Sequence, residues 1–296
     1  MDRPLRVMAG ALAILTSLAC RLPAQAASGP YLFVTPPRES KARAERDYAP
    51  IAAFLTRALG HTVVYRHPTG WLPYEHWIWT DHAAIYFDGP QFVGWRLKNL
   101  DQTLGPRVPQ PLAWRLYTWK GSPVTSIRQA SAGATLCAPP VPNFGTLWAS
   151  RLFPNPARQP YFRNMRSWKA IYEAVRHHTC EIGIGPQLTL NSLDPTGQGL
   201  TTITQSPSYP NQAFTISHAL PRAVRLRIVH ALLSPAGEEA MMHLRKRFAQ
   251  GRPLVDPRAG AYKRAARALN PQWDLMSAGI DHDLAVDRTR EHLPRG

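Results

Sequence analysis

A short stretch between residues 134 and 153 contains side chains and backbone groups that suit an anion. It opens as an apolar strand, and three prolines then forbid the continuation of either strand or helix. Asn143 follows as a candidate N-cap, and Gly145 and Thr146 begin an amphipathic helix. A strand that stops and re-enters as a helix leaves free backbone N–H groups at the positive end of the helix dipole. Asn143, Gly145 and Thr146 are therefore predicted to bind a ligand; an ordinary strand-to-helix turn is the alternative.

Five further side chains are candidates for the same kind of site. Arg38 follows the first predicted strand, and its planar guanidinium suits an oxyanion. Trp71 and Tyr74 lie in an aromatic segment and are predicted to line a cleft, with ordinary core packing as the alternative. Asp88 ends a buried strand, where we expect it to contact a cation or to cap a turn. Tyr209 follows a later extended segment and completes the predicted set.

The eleven histidines do not form a metal-binding motif. No H-x-x-x-H pair and no cysteine–histidine spacing typical of zinc occurs in the sequence. His177 and His178 end a predicted helix, where they interact favourably with the helix dipole. We therefore predict neither a metal nor another cofactor.

The overall charge is strongly positive, with a formal value of +16 from 35 lysines and arginines against 19 acidic residues. Such a balance favours an anionic partner. The basic residues are scattered, apart from a small cluster at Arg245–Arg247, and no nucleic-acid-binding motif is present. We therefore expect no nucleic-acid partner. A chain of 296 residues is long enough for one or two domains.

Residues 1–26 resemble a signal peptide. Two arginines precede an apolar run over residues 7–18, which is too short to span a bilayer comfortably. A small-x-small sequence predicts cleavage after Ala26. Lipid attachment at Cys20 is an alternative, although the residues before it fit a lipoprotein signal poorly. We expect an exported protein that meets the membrane only through a partner.

Export places Cys137 and Cys180 in an oxidising compartment. A disulfide between them is the prediction. The alternative is a free nucleophilic Cys180, which follows two histidines.

The first half of the sequence alternates short apolar strands with amphipathic helices, which is typical of a parallel sheet covered by helices. The predicted strands are 31–35, 62–66 and 81–87; the helices are 41–59 and 91–97, and 70–80 is a helix or loop. Residues 109–121 then alternate as one extended strand.

The same layout begins again after this extended strand. Its predicted elements are strand 134–138, helix 145–153, strand 161–163, helix 167–178 and strand 181–185. A second extended crossing near 199–204 leads to strand 212–217 and to helices that end with 258–269. We therefore predict two lobes: residues 27–119 and 206–273 form the first, 120–205 the second, and 274–296 a loose tail. Ligands in open α/β sheets bind beyond the carboxyl ends of the strands, so we expect a cleft between the lobes.

Four segments in this order resemble the periplasmic solute-binding proteins of ABC importers, and within them the phosphate/phosphite/phosphonate-binding branch. They are Tyr48–Gly60, Asp81–Pro90, Ser167–Gly185 and Phe214–Phe248, and the similarity extends from residue 31 to about 270. The resemblance implies an α/β, type II periplasmic-binding-protein fold. Each lobe would be a mainly parallel sheet flanked by helices, and two crossing strands would join the lobes.

The resemblance also implies a function. The protein would capture a small solute, an oxyanion or phosphonate-like molecule, without catalysis, and deliver it to an ABC permease or to a sensor kinase. We expect a monomer in the periplasm.

One departure from the family concerns the ligand. The second-lobe turn of the family usually offers several serine or threonine hydroxyls, whereas residues 142–146 here contain only Thr146. A less charged oxyanion, or an organic solute stacked on Trp71, Tyr74 or Trp77, therefore stays open. Two other functions are alternatives: an enzyme with Cys137 as its nucleophile, and a basic scaffold that binds polyanions.

Overall fold

The computed structural model describes residues 29–130, 133–257 and 260–269. Within these residues ten strands form two five-stranded sheets. The strands are β1 (Tyr31–Val34), β2 (Val63–Arg66), β3 (Ile85–Asp88), β4 (Thr103–Arg107), β5 (Trp114–Trp119), β6 (Thr135–Ala138), β7 (Tyr161–Asn164), β8 (Ile182–Pro186), β9 (Leu200–Gln205) and β10 (Ala213–Ile216). The first sheet has the order β2-β1-β3-β10-β4, and the second has the order β7-β6-β8-β5-β9.

Ten α-helices lie on the faces of these sheets in the described residues. They are α1 (Lys41–Leu59), α2 (Trp71–Trp79), α3 (Pro90–Asn99), α4 (Phe144–Ser150), α5 (Trp168–Arg176), α6 (Gln187–Leu193), α7 (Arg222–Leu233), α8 (Pro235–Ala240), α9 (Met242–Phe248) and α10 (Lys263–Ala266). A short 3-10 helix covers Pro156–Arg158. Not one of the helices in this part of the chain combines the length and the apolar character that a membrane span needs.

The first lobe is built around β1. Its residues alternate between the two faces, so Phe33 packs with α1, α7 and α9, while Val34 packs with α2 and α3. Helix α1 ends at Gly60, whose left-handed φ of 65° lets its N–H bond the carbonyl of Thr56. Strands β1, β2 and β3 run parallel, and β10 is antiparallel to β3 and β4. The expected mainly parallel sheet is therefore present, with an antiparallel return strand.

The second lobe repeats this arrangement. Strand β6 lies parallel to β7 and β8, and β5 runs antiparallel to β8 and β9. A disulfide joins Cys137 in β6 to Cys180 just before β8, as predicted. Helix α4 covers one face of this sheet, and α5 and α6 cover the other. The two-lobed α/β fold is thus confirmed.

Two crossing segments connect the lobes, residues 108–113 and 206–212. They pair with each other, because Leu112 and Tyr209 exchange two backbone hydrogen bonds of 2.8 Å. Residues 260–269, which we call the C-terminal segment, contact both lobes. Ala265 and Ala268 are buried in the core of the second lobe, while Leu269 packs against the α2–α3 side of the first.

Several predicted boundaries differ from the structure. The extended strand predicted over 109–121 begins only at Trp114, and it hydrogen-bonds within the second sheet, so that sheet includes residues before 120. Strand β4 and helix α6 were not predicted. Of the helix predicted over 258–269, the described residues show only Lys263–Ala266 as helical, and the predicted tail 274–296 lies outside the described residues.

Candidate functional site

The two lobes meet where α3 begins and where the turn before α4 ends. Gln91, in the first turn of α3, donates a hydrogen bond of 2.9 Å from Nε2 to the carbonyl of Pro142. Pro90 occupies the first helical position, so the chain enters α3 directly from the end of β3. Gln91 is only 4% exposed, and its Oε1 is buried without a hydrogen-bond partner in the described residues. The facing strand ends of the two lobes are therefore in contact.

The turn from Pro139 to Thr146 satisfies most of its own polar groups. The Oδ1 atom of Asn143 accepts a hydrogen bond of 2.9 Å from the Gly145 N–H, which confirms the predicted N-cap. Thr146 donates its hydroxyl to the Pro139 carbonyl at 2.6 Å. Gly145 lies against the indole of Trp114, where an added Cβ would come within 2.5 Å of the ring. The predicted residues therefore form one compact turn, in which a larger residue at position 145 would clash.

A side chain of the second lobe is inserted into an aromatic cluster of the first. Leu147 of α4 is 2% exposed and packs in the cluster that contains Tyr74 and Phe92. Trp71 lies at the edge of this cluster, half-buried, and stacks on Phe92 with ring centroids 6.2 Å apart and an interplanar angle of 19°. The aromatic wall of the first lobe is thus set opposite the turn of the second lobe.

Asp88 lies behind this aromatic wall in a fully buried ion pair. Both of its carboxylate oxygens accept hydrogen bonds from Arg96, at 2.9 and 3.0 Å. Tyr74 donates a further hydrogen bond to Asp88, and Arg96 also donates to Thr215. Burial and the adjacent carboxylate raise the pKa of Tyr74 well above its ordinary value, so the phenol stays a donor. Both Asp88 and Tyr74 are completely buried, and their polar groups are hydrogen-bonded within the core of the first lobe.

Arg38 and Tyr209 lie apart from this wall. Arg38 is exposed beyond β1, and its guanidinium carbon is 5.6 Å from the ring centroid of Phe248. Phe248 belongs to the α1 side of the first sheet, so Arg38 does not share the face of Trp71 and Tyr74. Tyr209 is half-buried and meets Phe144, the first residue of α4, edge to face at 4.7 Å.

Three residues of this region were missed by sequence reasoning. Gln91 and Leu147 form the contact between the lobes, and Arg96 neutralises Asp88. For Gln91 a signal existed, since the residue after a strand-end Gly-Pro lies in the first turn of the next helix. Within the described residues, no group of three or more candidate ligands has a metal-binding geometry. Cys137, the candidate nucleophile, is held in the disulfide.

The sequence matches a known protein family over residues 33–253, and this family is described as the periplasmic substrate-binding protein of the phosphonate ABC transporter. The chain belongs to this family. It is a solute-binding protein of an ABC importer, located in the periplasm, and the family binds solutes without catalysis. A small-molecule ligand and an ABC permease are therefore its partners. A search of curated protein sequences finds no match.

Several solved structures share the fold of this chain. XAC2383 from Xanthomonas citri bound to ATP is 14% identical, with 90% of this chain and 100% of that chain covered and a TM-score of 0.63. PhnD1 from Prochlorococcus marinus (MIT 9301) in complex with methylphosphonate is 11% identical, with 80% and 96% covered and a TM-score of 0.58. A phosphonate-transporter component from Pseudomonas aeruginosa (PA3383) is 12% identical, with 74% and 80% covered and a TM-score of 0.51. These likenesses show the two-lobed fold.

Proposed function

We propose that this binding protein captures a small organic oxyanion, such as a phosphonate or a phosphate ester, between its lobes. The oxyanion would lie at the turn that holds Asn143, and the organic part would pack on Trp71. The observation that carries the proposal is the insertion of Leu147 into the aromatic cluster of the first lobe, because it sets that turn opposite Trp71. The solute would then pass to the ABC permease.

The polar groups of the turn favour a ligand with modest charge. Its one hydroxyl, on Thr146, is used by the Pro139 carbonyl, and Oδ1 of Asn143 is used by Gly145. The side-chain NH2 of Asn143 is the donor that we assign to the oxyanion, because the Gly145 N–H is already donated to Asn143 Oδ1. A buried anion with few donors is costly, so the organic part must supply more of the affinity. The solved structures of this fold with methylphosphonate and with ATP are consistent with a phosphorus oxyanion.

The remaining predicted residues receive supporting roles in this proposal. Asp88 orients Tyr74 behind the aromatic wall, and Tyr209 supports Phe144 at the start of α4. Arg38 is exposed near the carboxyl end of β1 and would attract anions toward the cleft.

Isothermal titration calorimetry tests the proposal with methylphosphonate, phenylphosphonate, inorganic phosphate and sulfate. We expect phenylphosphonate to bind more tightly than phosphate, since its ring can stack on Trp71. Trp71→Ala should remove this preference, and Asn143→Ala should weaken all oxyanions roughly tenfold or more, as for a lost hydrogen bond to a charged group.

Two matched variants control for fold effects. Trp79→Ala removes an indole from the exposed end of the same helix, and Asn155→Ala removes an equivalent cap from an exposed 3-10 helix. Both should leave the affinities unchanged. Equal affinity for phenylphosphonate and phosphate, with no effect of Trp71→Ala, would overturn the proposal.

We further infer export by a signal peptide that is cleaved after Ala26, and action as a monomer. Residues 1–26 lie outside the described residues. Intact mass of the periplasmic protein tests the cleavage, since a chain that starts with a lipid-modified Cys20 has a different mass. Delivery to a permease is preferred over delivery to a sensor kinase because importers define the family.

A further inference from the structure

A cavity lies where the second crossing segment meets the C-terminal segment. Its volume is about 500 Å³. One wall consists of Ser208–Pro210, and the other consists of Gly260, Ala261, Lys263, Arg264 and Arg267. We call this space the junction cavity. It is distinct from the contact between Gln91 and the Pro142 carbonyl, although Tyr209 in its wall packs on Phe144 of α4.

The charged groups that line the junction cavity all have the same sign. Lys263, Arg264 and Arg267 line it and are exposed, and its described lining contains no carboxylate. Lys263 and Arg267 are four residues apart, a spacing at which like charges on one helical turn repel each other. None of the three forms an ion pair with another described residue. Positive charge is thus concentrated here without a counter-charge among residues 29–130, 133–257 and 260–269.

A fourth cation stands beside this cluster. Burial lowers the pKa of Arg151 at the end of α4, and the charge of Arg267 acts in the same direction, whereas Tyr209 opposes it. Arg151 therefore lies close enough to Arg267 and Tyr209 to interact electrostatically with both. The second lobe thus adds a positive charge to those of the C-terminal segment.

The scaffold beneath these cations is well anchored. Tyr262 is 1% exposed and donates a hydrogen bond of 2.8 Å from its hydroxyl to the carbonyl of Asn211. Ala265 and Ala268 are buried in the core of the second lobe, on the same short segment as the cations. The backbone that carries Arg264 and Arg267 is therefore held in place before any ligand arrives, which reduces the ordering cost of binding.

We propose that the junction cavity is a second ligand site of this protein, and that it binds a compact polyvalent anion such as a diphosphate group. Several positive charges around one cavity suit several negative charges on one molecule, and arginine forks pair well with phosphate oxygens. A diphosphate group would supply the counter-charge that the described residues lack. This site uses neither Asn143 nor Trp71, the residues assigned above to the solute between the lobes.

Calorimetric titration of the full mature protein with inorganic pyrophosphate tests this site. We expect one equivalent to bind, and Arg264→Ser/Arg267→Ser should weaken it at least tenfold. Arg57→Ser/Arg66→Ser is the matched control, because it removes two exposed arginines from the first lobe and changes the net charge equally. This control should bind pyrophosphate as the wild type does. Raising the salt concentration should weaken binding, since exposed charges are screened.

Two outcomes would overturn the proposal. One is binding that Arg264→Ser/Arg267→Ser leaves unchanged while Asn143→Ala abolishes it, which would place pyrophosphate between the lobes. The other is an equal loss in both arginine double variants, which would indicate an effect of net charge alone. Retained binding in Asn143→Ala together with loss in Arg264→Ser/Arg267→Ser supports the junction cavity. Circular dichroism should show that both double variants are folded.

Discussion

Asp88 and Arg96 form an ion pair in which neither side chain is accessible to solvent. The guanidinium carbon of Arg96 also lies 4.3 Å from the ring centroid of Tyr86. The guanidinium is therefore enclosed by the Asp88 carboxylate, the Thr215 hydroxyl and the Tyr86 ring. Removing one member of such a pair leaves the other charge buried without compensation.

We expect Asp88→Asn to destabilise the protein by about 3–5 kcal/mol, because Arg96 would lose its buried counter-charge. Urea unfolding followed by fluorescence measures this change. Asp256→Asn is the control, since Asp256 is exposed and should change stability by less than about 0.5 kcal/mol. A similar small effect at position 88 would show that water or a ligand reaches the carboxylate.

Some interactions of individual side chains could be predicted from the sequence, and others could not. The cap at Asn143 was predictable because capping depends on neighbouring residues only. The partner of Asp88 was not, because it depends on the angle at which α3 leaves β3 and turns Arg96 toward the sheet. An aspartate at a strand end suggests a site equally well whether it faces a cleft or the core.

Helix α3 and the C-terminal segment approach each other at Gly94. A Cβ at this position would lie 2.7 Å from both the Ala266 nitrogen and the Tyr262 carbonyl oxygen. These are backbone atoms, which cannot yield by a simple side-chain rotation.

Gly94→Ala should therefore displace the C-terminal segment and destabilise the protein by about 1–3 kcal/mol. Limited trypsin digestion gives the readout, with faster cleavage at Arg264 and Arg267 in the variant. Gly70→Ala serves as control, because an added Cβ there meets only Pro73 at 3.9 Å. Unchanged cleavage in Gly94→Ala would contradict the close packing of these two elements.

The disulfide joins two elements of the second lobe across 43 residues of sequence. Closing a loop of this length lowers the conformational entropy of the unfolded chain, which stabilises the folded state by about 4 kcal/mol. We expect Cys137→Ala/Cys180→Ala to lose about this amount in urea unfolding. A reducing agent should lower the stability of the wild type toward that of the double variant and leave the double variant unchanged. Insensitivity of the wild type to reduction would argue against the bridge.

Strand β4 shows why some secondary-structure elements could not be predicted from the sequence. It contains Gly105 and Pro106, two residues that lower the strand propensity of a segment. Its position at the edge of the first sheet makes the proline acceptable, and the glycine leaves room for Phe214 on the neighbouring strand. Helix α1 was predictable over its whole length because its apolar residues recur with helical period and Gly60 ends it.

For the whole molecule, the insertion of Leu147 holds the lobes together. We expect Leu147→Ala to favour an open arrangement, because it removes most of the apolar area that α4 contributes to the cluster of the first lobe. Small-angle scattering of the ligand-free variant should give a larger radius of gyration. Leu188→Ala, on a half-exposed position of α6 in the same lobe, should not. An unchanged radius for Leu147→Ala would assign closure to other contacts.

The two-lobed plan was predictable because the strand–helix alternation appears twice, separated by an extended segment. The role of the C-terminal segment was not. Its buried residues Ala265, Ala266 and Ala268 are small, and small residues carry little periodic signal even when they are completely covered. How they bridge the lobes depends on packing between segments far apart in sequence.

The paired backbone bonds between Leu112 and Tyr209 have a mechanical consequence. Two unpaired connecting segments would let the lobes rotate relative to each other about several axes. Two segments that hydrogen-bond to each other behave instead as a two-stranded ribbon. A ribbon bends readily about one axis and resists torsion about the others. Each capture and release would then retrace a single path, and the permease would always meet the loaded protein in the same orientation.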